Sequence, residues 1–256
     1  MDLIAADIGN TMVDLGVFQG EKLVLTFRVP TGSCRTESAF FRIVSGRFGM
    51  RLAGFHSAYA SVVPRAGAVF RSVLHRLTGR NPLAVGPASP LGFRVRYRPP
   101  SSLGADRLAA AAGALEIAGA PVIVVDFGTA ITVDAVSRKR VFLGGAIAPG
   151  PALSAGALAR GTARLPLARL YKPGSAIGRS TRECLASGIV IGSADLADGL
   201  VSRMEAEMGE KSVPVLATGG MAGLVAPYSR RMRWVVPGLV LEGVKVVAQR
   251  AGGKKR

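Results

Sequence analysis

Residues 3–17, LIAADIGNTMVDLGV, and residues 122–136, VIVVDFGTAITVDAV, read as two copies of one design. Each is an apolar run that ends in Asp-x-Gly, passes a Thr and resumes as a second β-rich run. Asp7 corresponds to Asp126, Gly9 to Gly128 and Asp14 roughly to Asp134. Apolar residues on both sides of a glycine turn predict a buried strand, a tight hairpin and a second strand. Gly9 and Gly128 let the backbone approach a ligand with no Cβ in between. Amides in such a turn converge on an anion, and the Thr11 and Thr129 hydroxyls add donors. A carboxylate beside a phosphate repels it unless a cation lies between them. Asp7 and Asp126 therefore imply a metal, bound directly or through water. One Asp-x-Gly-x-Thr is weak, because most isolated copies are plain hairpin turns with the Asp bonded to turn amides. Two copies, each at the head of a similar half-chain, favour a phosphate site.

The repeat divides the 256 residues into an N-terminal half, 1–120, and a C-terminal half, 121–256, each able to build a core from a chain that is 49% hydrophobic. Charges, Gly or Pro interrupt every apolar run before it reaches the length of a membrane span. The N-terminus enters a strand directly, with no basic leader and cleavage site, so a soluble, cytoplasmic protein is expected. Cys34 and Cys184 lack a C-x-x-C partner and read as free thiols. The net charge of +17 is uneven: residues 38–105 hold ten arginines and no acid, and acids are absent again from 135 to 182. Such a field attracts polyanions. The arginines lie at loose spacing, however, with no aromatic RNA-binding strip, helix-turn-helix signal or zinc knuckle, and no specific nucleic-acid partner is expected. Five of the sixteen acids, Asp7, Asp14, Asp106, Asp126 and Asp134, sit in or beside the motifs. That concentration makes them candidates for chemistry.

Residues 3–6, 13–18 and 23–29 read as a strand meander, and 38–48 as a helix with Phe40, Phe41, Val44 and Phe48 at helical spacing. A strand at 58–63 ends at Pro64, a helix follows to Leu77, and short strands are expected at 82–85 and 93–97. Pro99-Pro100 excludes a helix before Gly104-Ala105-Asp106-Arg107, which opens the Ala-rich helix 108–118. Asp106 suits a helix N-terminus on structural grounds alone. An Asp-Arg pair there also fixes a base beside an anion clamp, since Arg107 holds a carboxylate or phosphate by two parallel bonds. The glycines of 144–150, GGAIAPG, suggest close backbone approach to a ligand or another chain, or a turn into the helix 151–160. Thr181 is the N-cap candidate for a helix running to about Arg203. Residues 215–220, VLATGG, read as a buried strand entering a glycine turn and the short helix 221–226, a seat for a nucleotide base or sugar. Residues 235–243 read as a last strand and turn, and the basic end, 252–256, is expected to fray. There is no G-x-x-x-x-G-K-[ST] and no strand-borne G-x-G-x-x-G, and two histidines, His56 and His75, are too few for a His-based metal site.

The duplicated strand–turn–strand with a late strand–Gly-Gly resembles the acetate-and-sugar-kinase, heat-shock-70 and actin superfamily. Within it, the order DIGNT (7–11), SVVP (61–64), GADR (104–107), DFGTA (126–130), GGAIAPG (144–150), the 181–188 segment and ATGG (217–220) is similar to type III pantothenate kinases. The resemblance implies an α/β fold of duplicated ribonuclease-H-like, actin-like domains, with mixed sheets flanked by helices. The implied activity is ATP-dependent phosphorylation of pantothenate with Mg²⁺. Asp7, Ile8, Gly9, Asn10, Thr11, Met12, Val13 and Asp14 would hold the ATP phosphates, joined by Thr129. Asp126 would bind a monovalent cation, K⁺ or NH₄⁺. Asp106 would act as general base, and Tyr97, Gly104, Ala105, Arg107 and Thr181 would line the pantothenate site of a homodimer. Two departures stand out. Met12-Val13-Asp14 replaces the basic side chain that often follows the first turn, and Pro99-Pro100 replaces a more usual Asn-Pro. The competing reading is a non-catalytic regulatory protein on the same fold, possible nucleic-acid association included. A retired enzyme would have no need to keep Asp106, Asp126 and both turn threonines together.

Overall fold

A computed structural model describes residues 1–48 and 52–253. In chain order the elements are β1 (Leu3–Ile8), β2 (Met12–Gln19), β3 (Lys22–Pro30), α1 (Glu37–Phe48), β4 (His56–Ser61), α2 (Pro64–Thr78), β5 (Leu83–Ala84), β6 (Arg94–Val95) and α3 (Ala105–Ala118). There follow β7 (Val122–Phe127), β8 (Ala130–Val136), β9 (Val141–Pro149), α4 (Pro151–Gly161), α5 (Thr181–Met208), β10 (Val215–Thr218), α6 (Ala222–Val225), β11 (Trp234–Val235) and α7 (Leu239–Gly253). Two compact units result: Met1–Ile117 together with the segment that begins at Gly238, and Ala118–Pro237.

In the first unit the strands run β3-β2-β1-β4-β5. β1, β2 and β3 form an antiparallel meander, while β1–β4 and β4–β5 are parallel. Alternate residues of the meander, Ile4, Ala6, Ile8, Val13, Leu15 and Val17, pack with Phe40 and Val44 of α1 and Phe70, Val73 and Leu74 of α2. Each fully buried Leu or Phe of this kind contributes about 1.5–3 kcal/mol, so the hairpin that carries the first turn is firmly seated. The second unit repeats the arrangement: its strands run β9-β8-β7-β10-β11, with β7-β8-β9 antiparallel and β7–β10–β11 parallel. Ile123, Val125, Phe127, Ile131 and Val133 pack there with Val190, Ala194, Ala197 and Val201 of α5. The expected α/β repeat is thus observed, and it extends through the third strand of each meander.

Three expectations change. The C-terminal half is not a single block from 121 to 256, because α7 packs on β1 and β4 of the first unit. Residues 235–243 are not a strand and turn: β11 ends at Val235 and α7 starts at Leu239. The cause is ambiguity in the sequence. Leu239, Val240, Leu241, Val244, Val246 and Val247 are all buried, and a helix apolar on nearly every side has the residue content of a buried strand. Glycine permits that burial. A Cβ on Gly243 would run into the backbone of Ala109 in α3, and one on Gly113 would come within 2.7 Å of the Leu239 carbonyl oxygen. Lastly, α5 is long and apolar enough to cross a membrane by length and composition, with a window of mean hydropathy 1.5. Half of that window is buried, its apolar residues facing the core named above. Of the basic end, Gly252 and Gly253 close α7, and residues 254–256 lie outside the described residues.

Candidate active site

In the first unit, β1 and β4 end side by side, the Val62 amide donating to the Ile8 carbonyl at 3.1 Å. Ligands of open α/β sheets bind at such carboxyl ends. The turn at Gly9 closes with the Gly9 amide donating to the Met12 carbonyl at 3.0 Å. A Cβ on Gly9 would sit 3.1 Å from that oxygen, which accounts for the glycine. Asp7 and Asp14 are directly opposed across β1 and β2, and Asp14 is opposed to Arg28 across β2 and β3. Directly opposed residues share a face of the sheet, so Asp7, Asp14 and Arg28 form a row. Arg28 grips Asp14 bidentately, Nε to Oδ1 at 2.6 Å and Nη2 to Oδ2 at 2.8 Å. The acid that replaces a basic side chain after the turn therefore carries its own cation, brought from β3. Sequence reading missed Arg28, because only strand register reveals the pairing.

The GADR segment lies in the same unit and next to these strand ends, since a Cβ on Gly104 would sit 3.5 Å from Cγ1 of Val62. It would also collide with Oδ1 of Asp106, so the glycine lets the carboxylate fold back over the start of α3. That Oδ1 accepts from the Arg107 amide at 2.8 Å. Burial raises the Asp106 pKa above the ordinary carboxylate range, against the lowering effect of the Arg107 amide and guanidinium. Asp106 thus serves the helix terminus, as its position alone suggested, and is also a carboxylate made more basic by its surroundings. Arg107 is buried, with Cζ 5.5 Å from the Tyr97 ring centroid and Nη1 3.5 Å from the Tyr97 hydroxyl. Tyr97, expected to line a substrate site with Arg107, does stand against it. The strand expected at 93–97 is reduced to Arg94–Val95.

In the second unit, β7 and β10 also end together, the Met221 amide donating to the Phe127 carbonyl at 3.0 Å. Asp126 is opposed to Thr132 on β8 and to Thr218 on β10. The second turn is one residue shorter than the first, so Thr132, and not Asp134, occupies the place of Asp14. Asp134 stands two pairs further along, opposite Val124. Gly219 has φ +93°, and a Cβ there would collide with Oδ1 of Asp126 and approach the Phe127 backbone; one on Gly128 would lie 3.4 Å from the same Oδ1. The space around this carboxylate is kept by glycines on two sides. The glycines of 144–150 have internal reasons too. A Cβ on Gly145 would collide with the Val133 carbonyl on β8, and one on Gly150 with the Gly128 and Thr129 carbonyls. Their close approach is to β8 and to the second turn.

Thr181 is the first residue of α5 and not its cap. Ser180 is the cap: its hydroxyl accepts from the Glu183 amide at 3.3 Å, while Glu183 Oε2 accepts from the Arg179 amide at 2.6 Å. The Ser180 hydroxyl caps the Glu183 amide, Glu183 ties back the residue before the cap, and the exposed Thr181 takes no part in either bond. Residues 7–14, Tyr97 and 104–107 thus belong to the first unit, and Asp126, Thr129 and Thr181 to the second. No three His, Cys, Asp or Glu side chains gather into a metal cage among the described residues. The magnesium of phosphoryl transfer needs no such cage, being carried by phosphates and one or two carboxylates, and Asp7 at the first turn suits that role.

A family model described as type III pantothenate kinase matches residues 3–203. A type III pantothenate kinase of Moorella thermoacetica is 39% identical over 252 residues, 97% of this chain and 99% of its own length. Another, of Thermomicrobium roseum, is 40% identical over 252 residues, 97% of each chain. At the level of fold alone, the chain is similar to a ROK family glucokinase from Streptomyces griseus solved with glucose and AMPPNP. The TM-score is 0.53 at 14% identity, covering 97% of this chain and 100% of that one.

Proposed function

The chain belongs to the type III pantothenate kinase family, and on that premise we propose how its residues carry the reaction. The protein phosphorylates pantothenate with ATP to give 4′-phosphopantothenate, the first step of coenzyme A biosynthesis. The regulatory alternative is not favoured, since the relatives that match over nearly the whole chain are named as kinases.

In this reading residues 7–14 hold the ATP phosphates at the carboxyl end of β1, with Thr129 joining from the second turn. Asp7 is the carboxylate that would hold a magnesium ion, which would supply neutralisation of the phosphate charge there. Asp106 takes the proton of the pantothenate hydroxyl as the hydroxyl attacks. The observation that carries this role is its half-buried, glycine-relieved seat and raised pKa. A base with a higher pKa accepts a proton more readily. Arg107 clamps the pantothenate carboxylate, held in place against Tyr97, while Gly104, Ala105 and Thr181 line the remaining surface. In-line phosphoryl transfer asks the protein mainly for position and charge, and these groups supply both. Asp126, with its glycine-lined surroundings, is assigned to K⁺ or NH₄⁺. A homodimer is assigned as the working form, in keeping with the exposed Ile147, Leu167 and Ile177. The free thiols of Cys34 and Cys184 suit a reducing cytoplasm.

The testing experiment is a coupled ADP-release assay with pantothenate, ATP and magnesium in either potassium or sodium. Pantothenate-dependent release that needs potassium supports the whole reading. Release indifferent to the monovalent ion removes Asp126's assignment alone, and no release from folded protein overturns the assignment of residues.

A further inference from the structure

The end of β3 touches the first turn at two points. The Thr31 hydroxyl donates to the Gly9 carbonyl at 2.7 Å, and the Thr31 amide donates to the Thr11 carbonyl at 3.0 Å. Thr31 is buried, 8% exposed. The two bonds bracket Gly9-Asn10-Thr11, the stretch whose amides face a phosphate in the reading above. Half of this brace recurs in the second unit. There β9 ends at Pro149 as β3 ends at Pro30, and the Gly150 amide donates to the Thr129 carbonyl at 3.0 Å. Gly150 has no side chain, and none would fit, because a Cβ would meet the carbonyls of the turn. The amide bond belongs to both repeats; the hydroxyl bond is an addition of the first.

We propose that Thr31 is a positioning residue for the ATP phosphates, its hydroxyl fixing the Gly9 peptide so that the first turn is preformed for the nucleotide. A carbonyl tied at 2.7 Å cannot rotate its peptide plane freely, and the amide that follows it in the same plane is held with it. Without the hydroxyl, Thr31 keeps only its amide bond to Thr11, the Gly9 peptide loses its tie to β3, and the nucleotide orders more of the turn as it binds, at a cost in affinity. The inference rests on the assignment of residues 7–14 to the ATP phosphates.

The test is steady-state kinetics on full-length Thr31→Val and Thr31→Ser, varying ATP and pantothenate separately, with ADP binding measured by calorimetry. Thr31→Val is expected to raise KM for ATP and weaken ADP binding about tenfold while KM for pantothenate stays unchanged. Thr31→Ser, which keeps the donor, is expected within twofold of the parent. Equal losses for both substrates, unchanged ADP binding in Thr31→Val, or a serine variant as damaged as the valine variant overturns the proposal. If Thr31→Val does not fold by circular dichroism, Thr31→Cys takes its place, its weak S–H donor giving an intermediate loss confined to ATP. Thr11→Val separates the two levels of the argument. If it also leaves ADP binding untouched, the phosphate assignment of the turn fails; if it weakens ADP binding while Thr31→Val does not, only the brace fails.

Discussion

Replacing Asp106 with Asn removes a charge and little else. The Asn side-chain oxygen keeps the acceptor position used by the Arg107 amide at 2.8 Å, so the start of α3 retains its bond. Gly104 leaves room for an amide as it does for a carboxylate. General-base catalysis contributes about 10²–10⁴ in rate, so kcat is expected to fall by that factor, about 2.7–5.4 kcal/mol of barrier. Stability is expected to move the other way. Burial raises the Asp106 pKa, so its contribution to stability is present below the ordinary carboxylate range and is lost as pH rises through the folded-state value. At neutral pH the ionised group is a burden, and Asp106→Asn is expected to melt no lower than the parent. The pH profile gives an independent readout. The parent is expected to lose kcat/KM as pH falls through a pKa above the ordinary aspartate value, and the variant's residual rate is expected to lack that limb. The assay is pantothenate-dependent ADP release across a pH series, with thermal melts on the same samples. A variant within threefold of the parent, or one keeping the acid limb, would refute Asp106 as the base.

Other perturbations address the rest of the site. Arg28→Ala takes the bidentate guanidinium from Asp14, which is opposed to Asp7 across the strands; because the pair is partly exposed, KM for ATP is expected to rise about two- to fivefold. Asp14→Ala combined with Arg28→Ala removes the uncompensated carboxylate and is expected to lower KM for ATP below that of Arg28→Ala, and a double variant worse than Arg28→Ala alone contradicts the charge argument. Asp126→Ala is expected to equalise turnover in potassium and sodium, so an unchanged ratio between the two salts places the monovalent ion elsewhere. Gly219→Ala meets a left-handed φ as well as Asp126 and the Phe127 backbone, and is expected to lose on the order of 2 kcal/mol in urea denaturation. Light scattering at micromolar concentration is expected to give twice the mass of one chain, and a monomer of full activity counts against the dimer.

The hairpins, the family and the acids worth watching were legible in the chain, because short-range rules act there. Strand alternation, glycine at a turn and a carboxylate at a strand end are local, and repetition at residues 7 and 126 raises their weight. Strand register was not legible. Arg28 reaches Asp14 only because β3 folds back on β2, and Thr132 takes the place of Asp14 only because the second turn is one residue shorter. Thr31 escaped notice for the same reason: twenty-two residues separate it from Gly9 until the meander closes. The helix α7 was misread because uniform burial erases the periodicity by which helix and strand are told apart. By itself, then, the sequence determined the duplicated hairpins and the kinase family, since these rest on residue types at fixed spacing. Tertiary structure alone decided which side chains neutralise, buttress and bury the site, because such partners are set by strand pairing and by backbone contacts that only glycines at Gly113, Gly145, Gly150 and Gly243 allow.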